Sequence, residues 1–133
     1  MALVSAETIS VQAESDVVQV RRRVRQISAS LGFSLVDQTK VVTAASELAR
    51  NTVTYGGGGV LSLETLNGPR IGIRLVFEDQ GPGIPDIDLA LRDGFTTGSG
   101  LGLGLGGAKR LVNEFEIASK PGVGTKVSIT RWK

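Results

Sequence analysis

Glycine is concentrated in three short segments of this sequence, and their positions limit the possible folds more than any other feature does. Four glycines stand together at 56–59, two more lie within 81–83, and seven lie within 94–107. Flexible linkers are usually polar and rich in serine, whereas leucines alternate with glycines over 101–105. We therefore expect the last segment to pack against another part of a folded domain.

The amino-acid composition excludes several classes of function. A length of 133 residues predicts one domain spanning residues 1–133. The chain has no Cys and no His, which excludes thiol catalysis, a Ser-His-Asp triad, a phosphohistidine and the usual zinc, haem and iron–sulfur ligand sets. Magnesium, which prefers oxygen ligands, remains compatible with the sequence.

The charge and hydropathy patterns predict neither a nucleic-acid partner nor a membrane partner. The net charge is only +2, and the one dense basic cluster runs from Arg21 to Arg25. The sequence contains no apolar run of about 18 residues, and its first 20 residues mix acidic with apolar positions, unlike a targeting peptide. We expect the protein to reside in the cytoplasm.

The hydrophobic periodicity predicts alternating strands and helices. Strands are predicted at 7–13, 60–66, 70–78, 115–119 and 126–130. Helices are predicted from Ser15 or Asp16 to Gly32, from Asp37 to Tyr55, over 84–92 and over 108–113. This order predicts an α+β fold, a two-layer α/β sandwich with a mixed sheet of about five strands and helices on one face.

Glu47 and Asn51 lie four residues apart on the second predicted helix, so their side chains emerge on the same face. An Asn carbonyl oxygen can bind magnesium, and a Glu carboxylate can orient or deprotonate a hydroxyl group. A solvated Glu beside a helix-end Asn is the simpler explanation of this pair.

Asp79 follows a predicted strand and opens the sequence Asp-Gln-Gly-Pro-Gly-Ile-Pro. A carboxylate at a strand end can accept a hydrogen bond from an exocyclic amine such as adenine N6, while Gly81 and Gly83 allow a flat ligand to approach the backbone. Asp, Gly and Pro are also the usual residues of an ordinary turn.

The stretch from Gly100 to Gly107 precedes the last predicted helix, where free backbone N–H groups and the helix dipole favour an anion. A Walker loop would need G-K-[ST], but Gly107 is followed by Ala-Lys-Arg. The match of 102–107 to G-x-G-x-x-G is accidental, because no strand precedes it and too little chain follows for a dinucleotide-binding unit. Taken in order, and completed by Gly124 and Thr125, these segments predict one nucleotide pocket. The alternative is a glycine-rich domain without a nucleotide site.

These motifs resemble the superfamily of gyrase, heat-shock chaperone, histidine-kinase and mismatch-repair ATPases, which share the Bergerat (GHKL) ATP-binding fold. The resemblance covers about residues 7 to 132 and is most specific for the RsbT-type serine/threonine kinases of bacterial partner-switching modules. It is carried by Glu-Leu-Ala-Arg-Asn at 47–51, Asp-Gln-Gly-Pro-Gly-Ile-Pro-Asp at 79–86, Asp-Gly at 93–94, Gly-Leu-Gly-Leu-Gly-Leu at 100–105, Lys-Arg-Leu at 109–111 and Glu-Phe-Glu-Ile at 114–117.

The resemblance implies a role for each matching residue. Glu47 would be the general base and Asn51 a magnesium ligand. Asp79 would bind the adenine amine with the support of Thr125, and Gly81 and Gly83 would lie beneath the nucleotide. The phosphates would be bound by a loop of Gly100, Leu101, Gly102, Leu103 and Gly104. Residues 93–99 would form a lid, and Arg50 and Lys109 are the candidates for contact with the γ-phosphate.

The resemblance also implies an activity, cofactors and partners. It predicts an ATP- and Mg²⁺-dependent protein serine/threonine kinase that phosphorylates a STAS-domain antagonist and activates a PP2C-type phosphatase when released from it. The alternative within the family is a nucleotide-dependent binding regulator with little or no kinase activity. Phosphoryl transfer depends mainly on positioning and charge neutralisation, so a pocket of this size suffices for it.

Overall fold

Five strands and three helices form the part of the chain that this computed structural model describes, which is residues 2–84, 87, 91 and 104–133. The strands are β1 Ala2–Val11, β2 Gly59–Asn67, β3 Gly72–Asp79, β4 Glu114–Lys120 and β5 Gly124–Trp132. The helices are α1 Glu14–Ser30, α2 Leu35–Thr54 and α3 Gly104–Arg110.

The strands form one sheet in the order β1-β2-β3-β5-β4, and every neighbouring pair is antiparallel. The α+β class and the two-layer architecture are confirmed, but the prediction of a mixed sheet was wrong. Two helices separate β1 from β2, so the chain reverses direction three times between these strands and β2 runs antiparallel to β1. A single crossover helix would have given a parallel pair.

The hydrophobic core lies between the helices and one face of the sheet. Alternate residues of β2, β3 and β5 point into it, because successive side chains of a strand point to opposite faces. Leu61, Leu63, Leu75 and Ile129 are almost completely buried there. On the opposite face β2 and β3 carry an ion pair between Glu64 and Arg74, so this face is polar. Among the described helices, none is both long and apolar enough to cross a membrane.

The C-terminal ends of α1 and α2 were predicted correctly from their stop signals. The last residue of α1 is Ser30, with Leu31 as C-cap, and Gly32 follows at φ 86°, a left-handed conformation that glycine adopts without strain. α2 ends at Thr54 with Tyr55 as C-cap, just before the glycine segment at 56–59.

The predicted N-terminal caps were wrong in both helices. Asp16 lies inside the first turn of α1, where its carboxylate accepts hydrogen bonds from the N–H groups of Gln12 (2.9 Å) and Ala13 (3.2 Å). The N-cap of α2 is Ser34, whose hydroxyl accepts from the N–H of Asp37 at 3.1 Å. An acidic residue at the third helical position also satisfies free N–H groups at the helix start, so its sequence signal resembles that of a cap.

α3 begins at Gly104, four residues before the predicted start at Ala108. Leu105 and Ala108 are both buried against the core, and this burial stabilises a helical turn that glycines disfavour. The predicted helix at 84–92 lies mostly outside the described residues, although the N–H of Leu91 donates to the carbonyl of Ile87 at 3.0 Å, which is a helical hydrogen bond.

Arg131 joins three elements at one end of the molecule. Its guanidinium donates to Asp37 of α2 at 2.7 Å and to the carbonyl of Leu111, after α3, at 3.3 Å. The hydrogen bond and charge of Arg131 hold the pKa of the Asp37 carboxyl below its ordinary value. The side chain of Arg131 is only 16% exposed, so its aliphatic part also packs against the protein.

We predict that Arg131→Met lowers the melting temperature by several degrees at pH 7, because it removes the partner of the Asp37 carboxylate. A carboxyl group with a lowered pKa stabilises the fold above its ordinary pKa, 3.8 for Asp, and this contribution is lost as the pH falls through the lowered value. The difference in melting temperature between wild type and variant should therefore narrow below about pH 4. Lys126→Met, on the exposed face of the same strand, is the matched control. An equal loss in both variants would contradict the prediction.

Candidate active site

Glu47 is buried on α2 although it is acidic. The helix has a wide apolar face, and Glu47 lies at its edge with 9% of its surface exposed. Its Oε1 accepts from Nη1 of Arg50 at 3.3 Å, and its Oε2 accepts from the N–H of Gly104 at 3.2 Å. The buried carboxylate thus joins α2 to the first residue of α3 and points into the space between them.

Asn51 lies one helical turn after Glu47 and is half-buried. Its backbone carbonyl accepts from the N–H groups of Tyr55 (2.9 Å) and Gly56 (3.1 Å), which closes the C-terminus of α2. Its side-chain amide supplies one oxygen of the kind that magnesium accepts. In the described part of the chain, no three His, Cys, Asp or Glu side chains form a cluster that could hold a metal ion.

Asp79 is the last residue of β3 and is half-buried. Its Oδ1 accepts from the N–H of Gly81 at 2.9 Å, a turn typical of Asp. Asp79 pairs with Thr125 of β5, and Thr125 pairs with Ser119 of β4. Paired residues on adjacent strands point to the same face of a sheet, so Asp79, Thr125 and Ser119 form one row of polar side chains.

Glycines from three segments meet at Asp79. A Cβ atom added to Gly56, just after α2, would lie 2.5 Å from the Asp79 carboxyl carbon. One added to Gly81 would lie 2.7 Å from the Cα of Gly56, and one added to Gly124 would lie 2.1 Å from the carbonyl oxygen of Asp79. Real Cβ atoms do not approach this closely. Gly56 is therefore favoured by its contact with the Asp79 side chain, and Gly81 and Gly124 are required by close backbone contacts.

The loop that follows Asp79 rests on the turn between β4 and β5. The N–H of Gly122 donates to the carbonyl of Pro82 at 2.7 Å, and the N–H of Ile84 donates to the hydroxyl of Ser119 at 2.7 Å. Gly83 has φ 80°, and a Cβ there would lie 2.3 Å from the carbonyl oxygen of Lys120. The two glycines of the Asp-x-Gly-x-Gly sequence are therefore both required by close backbone contacts.

The structure connects the predicted site residues through α2. In the middle of α2, Glu47 contacts Gly104. Just after the end of α2, Gly56 lies against Asp79, which is paired with Thr125. Gly100, Leu101, Gly102 and Leu103 lie outside the described residues, as does the predicted lid at 93–99. Of the two candidates for contact with the γ-phosphate, Arg50 pairs with Glu47, and Lys109 is exposed in the last turn of α3.

Two residues of this site were not found from the sequence. Gly56 was interpreted only as part of a helix stop, because a steric contact with Asp79 depends on tertiary structure. Ser119 lies in a predicted strand, and the alternation of that strand does not distinguish Ser119 from any other polar residue. The register of β4 against β5 is the only signal that could have placed Ser119 beside Thr125.

Residues 36–133 match the family described as histidine kinase-, DNA gyrase B- and HSP90-like ATPase. This segment is most of the chain, so the chain belongs to that ATPase family. The serine/threonine-protein kinase RsbT of Bacillus subtilis (strain 168) is 43% identical over 125 residues, which cover 93% of this chain and 94% of the relative. This similarity assigns the chain to the RsbT-type group within the family.

Two further proteins are similar over most of this chain. An anti-sigma F factor of Thermoanaerobacter sp. (strain X514) is 29% identical over 117 residues, which cover 84% of this chain and 82% of the relative. The crystal structure of the RsbU and RsbW domains of a Mycobacterium tuberculosis protein matches with a TM-score of 0.67 and 20% identity. That match covers 97% of this chain and 33% of the longer protein, and it shows a shared fold.

We predict that Gly56→Ala and Gly57→Ala have different effects. The added Cβ at 56 would displace the carboxylate of Asp79, the adenine contact predicted from the sequence. If that prediction holds, ATP binding should weaken about tenfold or more. Gly57 has φ 74° with open space around it, so alanine there should cost about 1 kcal/mol of folding stability through left-handed strain and leave ATP affinity unchanged. Calorimetric titration with Mg-ATP and thermal unfolding measure the two effects. Equal loss of ATP affinity in both variants would contradict this account of Gly56.

Proposed function

We propose that this chain transfers the γ-phosphoryl group of ATP to a serine or threonine of a STAS-domain antagonist protein in a bacterial partner switch. The family is one of ATPases, and the RsbT relative is a named serine/threonine-protein kinase. The observation that carries the proposal is the contact between Glu47 and Gly104, which brings a buried carboxylate to the glycine segment. We propose that the protein acts as a single domain in the cytoplasm and serves a stress or signalling response.

The adenine is proposed to bind at Asp79. One oxygen of this carboxylate already accepts the N–H of Gly81, which leaves the other oxygen as an acceptor for an exocyclic amine. Gly81 and Gly83, which pack closely against Gly56 and Lys120, are proposed to lie beneath the base. Thr125 adds a hydroxyl in the same row. The four residues proposed to contact the base are all partly exposed, so a ligand can reach them.

The phosphates are proposed to bind at the glycine segment that ends at the start of α3. Gly100, Gly102 and Gly104 would supply backbone N–H groups, with Leu101 and Leu103 between them. The N–H of Gly104 at present donates to Glu47. This contact supports the proposal, because it shows that an oxygen acceptor can reach that N–H group and that it lies beside the proposed base.

Magnesium is proposed to bind at Asn51, and the residues present fit such an ion. Mg²⁺ usually takes one or two protein oxygens and fills its other positions with water and substrate phosphates. A single amide oxygen, one helical turn from Glu47, meets this requirement without a dedicated cluster of acidic residues. When bound, the ion would neutralise part of the charge on the phosphates.

Glu47 is proposed to act as the general base. The serine or threonine hydroxyl of the substrate gives its proton to the Glu47 carboxylate while its oxygen forms a bond to the γ-phosphorus. The bond between that phosphorus and the bridging oxygen breaks, and ADP leaves. Arg50 fixes the direction of the carboxylate, and this positioning favours the transfer.

A second output is proposed for the same fold. Similarity to an anti-sigma F factor favours a role in which the nucleotide shapes a docking surface for a partner, and release from the antagonist allows activation of a PP2C-type phosphatase. The regulator with little or no kinase activity is the limiting case of this second role. The two outputs are compatible, because only the first needs the carboxylate chemistry.

We predict that Glu47→Gln lowers the rate of phosphate transfer to a cognate STAS protein by about 10²- to 10⁴-fold, the usual contribution of a general base. ATP affinity should change little, because Gln has nearly the size and shape of Glu and leaves the N–H of Gly104 available to the phosphates. Transfer of labelled phosphate and calorimetry with Mg-ATP measure these quantities, with Glu78→Gln on the exposed face of β3 as control. Wild-type transfer by Glu47→Gln would remove Glu47 from the mechanism. Phosphatase activation retained by this variant would show that the second output needs no phosphoryl transfer.

We predict that Asp79→Asn weakens ATP binding by about ten- to a hundredfold. If the amide oxygen of Asn keeps the hydrogen bond from Gly81, its NH₂ group faces the adenine amine, and two donors oppose each other. Calorimetric titration with Mg-ATP measures the loss, and circular dichroism verifies the fold. Unchanged affinity in a folded variant would place the base elsewhere.

A further inference from the structure

Ser119 makes three hydrogen bonds with groups that surround the proposed base site. Its hydroxyl lies 2.7 Å from the N–H of Ile84, 3.1 Å from the carbonyl oxygen of Gly124 and 2.9 Å from the hydroxyl of Thr125. These contacts tie the loop after Asp79 to β5. Ser119 is half-buried at the end of the sheet face that the helices cover.

The numbers of donors and acceptors in a serine hydroxyl determine which group donates in each of these hydrogen bonds. A serine has one O–H donor and two acceptor lone pairs. The Gly124 carbonyl can only accept, so the single hydrogen of Ser119 goes to it, and the N–H of Ile84 can only donate, so it takes one lone pair. The remaining lone pair of Ser119 can only accept. The hydroxyl of Thr125 is therefore the donor in the contact between these two side chains.

This direction determines what Thr125 can offer to a ligand. Its only hydrogen points to Ser119, so its free lone pairs are the groups available to a nucleotide. Asp79, beside it in the row, is also an acceptor. A base edge that carries donors matches both residues, whereas a base edge that carries a keto oxygen faces acceptors only.

We propose that Ser119 is a positioning residue that fixes the Thr125 hydroxyl as a hydrogen-bond acceptor and thereby favours a 6-amino purine over a 6-keto purine. The proposal rests on the proposed function, which places the purine at Asp79 and Thr125. It adds a residue that does not contact the base and acts on base selection through Thr125. If the Ser119 hydroxyl is removed, the hydrogen of Thr125 becomes free to rotate toward the ligand and to donate to a keto oxygen.

The test compares the dissociation constants of Mg-ATP and Mg-ITP, because ITP carries a keto oxygen in place of the 6-amino group. We expect the wild type to prefer ATP. In Ser119→Ala the ratio of the ITP to the ATP dissociation constant should fall by about three- to tenfold, the effect of one neutral hydrogen bond. Ser119→Thr, which keeps a hydroxyl at this position, should retain the ratio, as should Ser128→Ala, which removes a serine hydroxyl from the opposite face of β5.

A role in loop stability alone would change both affinities by the same factor and leave their ratio intact, and this result for Ser119→Ala would overturn the proposal. Thr125→Val provides a second test that leaves the Ser119 loop contact in place. It should also lower the ratio, and an unchanged ratio would likewise overturn the proposal. If Ser119→Ala changes the ratio further in the Thr125→Val background, Ser119 does not act through Thr125, and the proposal is again wrong.

Failure of the proposed function gives a different pattern. If wild-type protein does not prefer ATP to ITP, or if Asp79→Asn leaves ATP affinity unchanged, the purine does not bind in this row and the adenine site is wrong. If Asp79→Asn weakens ATP binding while Ser119→Ala and Thr125→Val leave the ratio unchanged, the adenine site stands and only the assignment of Ser119 fails.

Discussion

The close approach of three backbones at the end of β3 is the constraint on which the rest of the site depends. Gly56, Gly81 and Gly124 come from different parts of the sequence, and a side chain on any of them would collide with Asp79 or with another of these glycines. Glycine loses more conformational entropy on folding than other residues, so three of them at one point weaken the local fold. This packing holds a carboxylate at a strand end, with one of its oxygens available to an exocyclic amine.

α2 connects this glycine contact at Asp79 to the proposed catalytic residue Glu47. Glu47 and Tyr55 are two helical turns apart, a distance of about 12 Å along the axis, and the contacts at the two ends differ in kind. At one end a charged side chain accepts a backbone N–H from α3, and at the other the chain after the helix packs against Asp79. The core face between them is apolar and buried, so the helix holds the two contacts at a fixed separation.

The sequence predicted much of this fold, because its local signals agree with the tertiary structure. The hairpin of β2 and β3 follows from alternation around a turn, and the ends of α1 and α2 follow from glycine after an apolar repeat. The sheet type was predicted wrongly, although the predicted order already placed two helices between the first two strands, an arrangement that makes those strands antiparallel. The helix starts were also wrong, because Asp16 and Asp37 both lie at the third helical position, inside the first turn, and not at the cap.

The site was predicted less completely than the fold for a similar reason. Glu47, Asn51 and Asp79 could be singled out because their residue type and spacing already indicate chemistry. Gly56 and Ser119 act only through contacts between segments distant in sequence, and no periodicity records such contacts. The register of the sheet, which places Ser119 beside Thr125, and the end of α2, which places Gly56 beside Asp79, supply this information.

The central claim is that segments far apart in sequence surround a single nucleotide. Titration of ¹⁵N-labelled protein with Mg-ADP, followed by the backbone amide signals, tests it most directly. The signals of Gly81, Gly104 and Thr125 should shift together, with one dissociation constant and a 1:1 stoichiometry, while those near Arg131 at the opposite end of the sheet stay in place. Shifts confined to one of the three segments, or distinct dissociation constants among them, would contradict the claim.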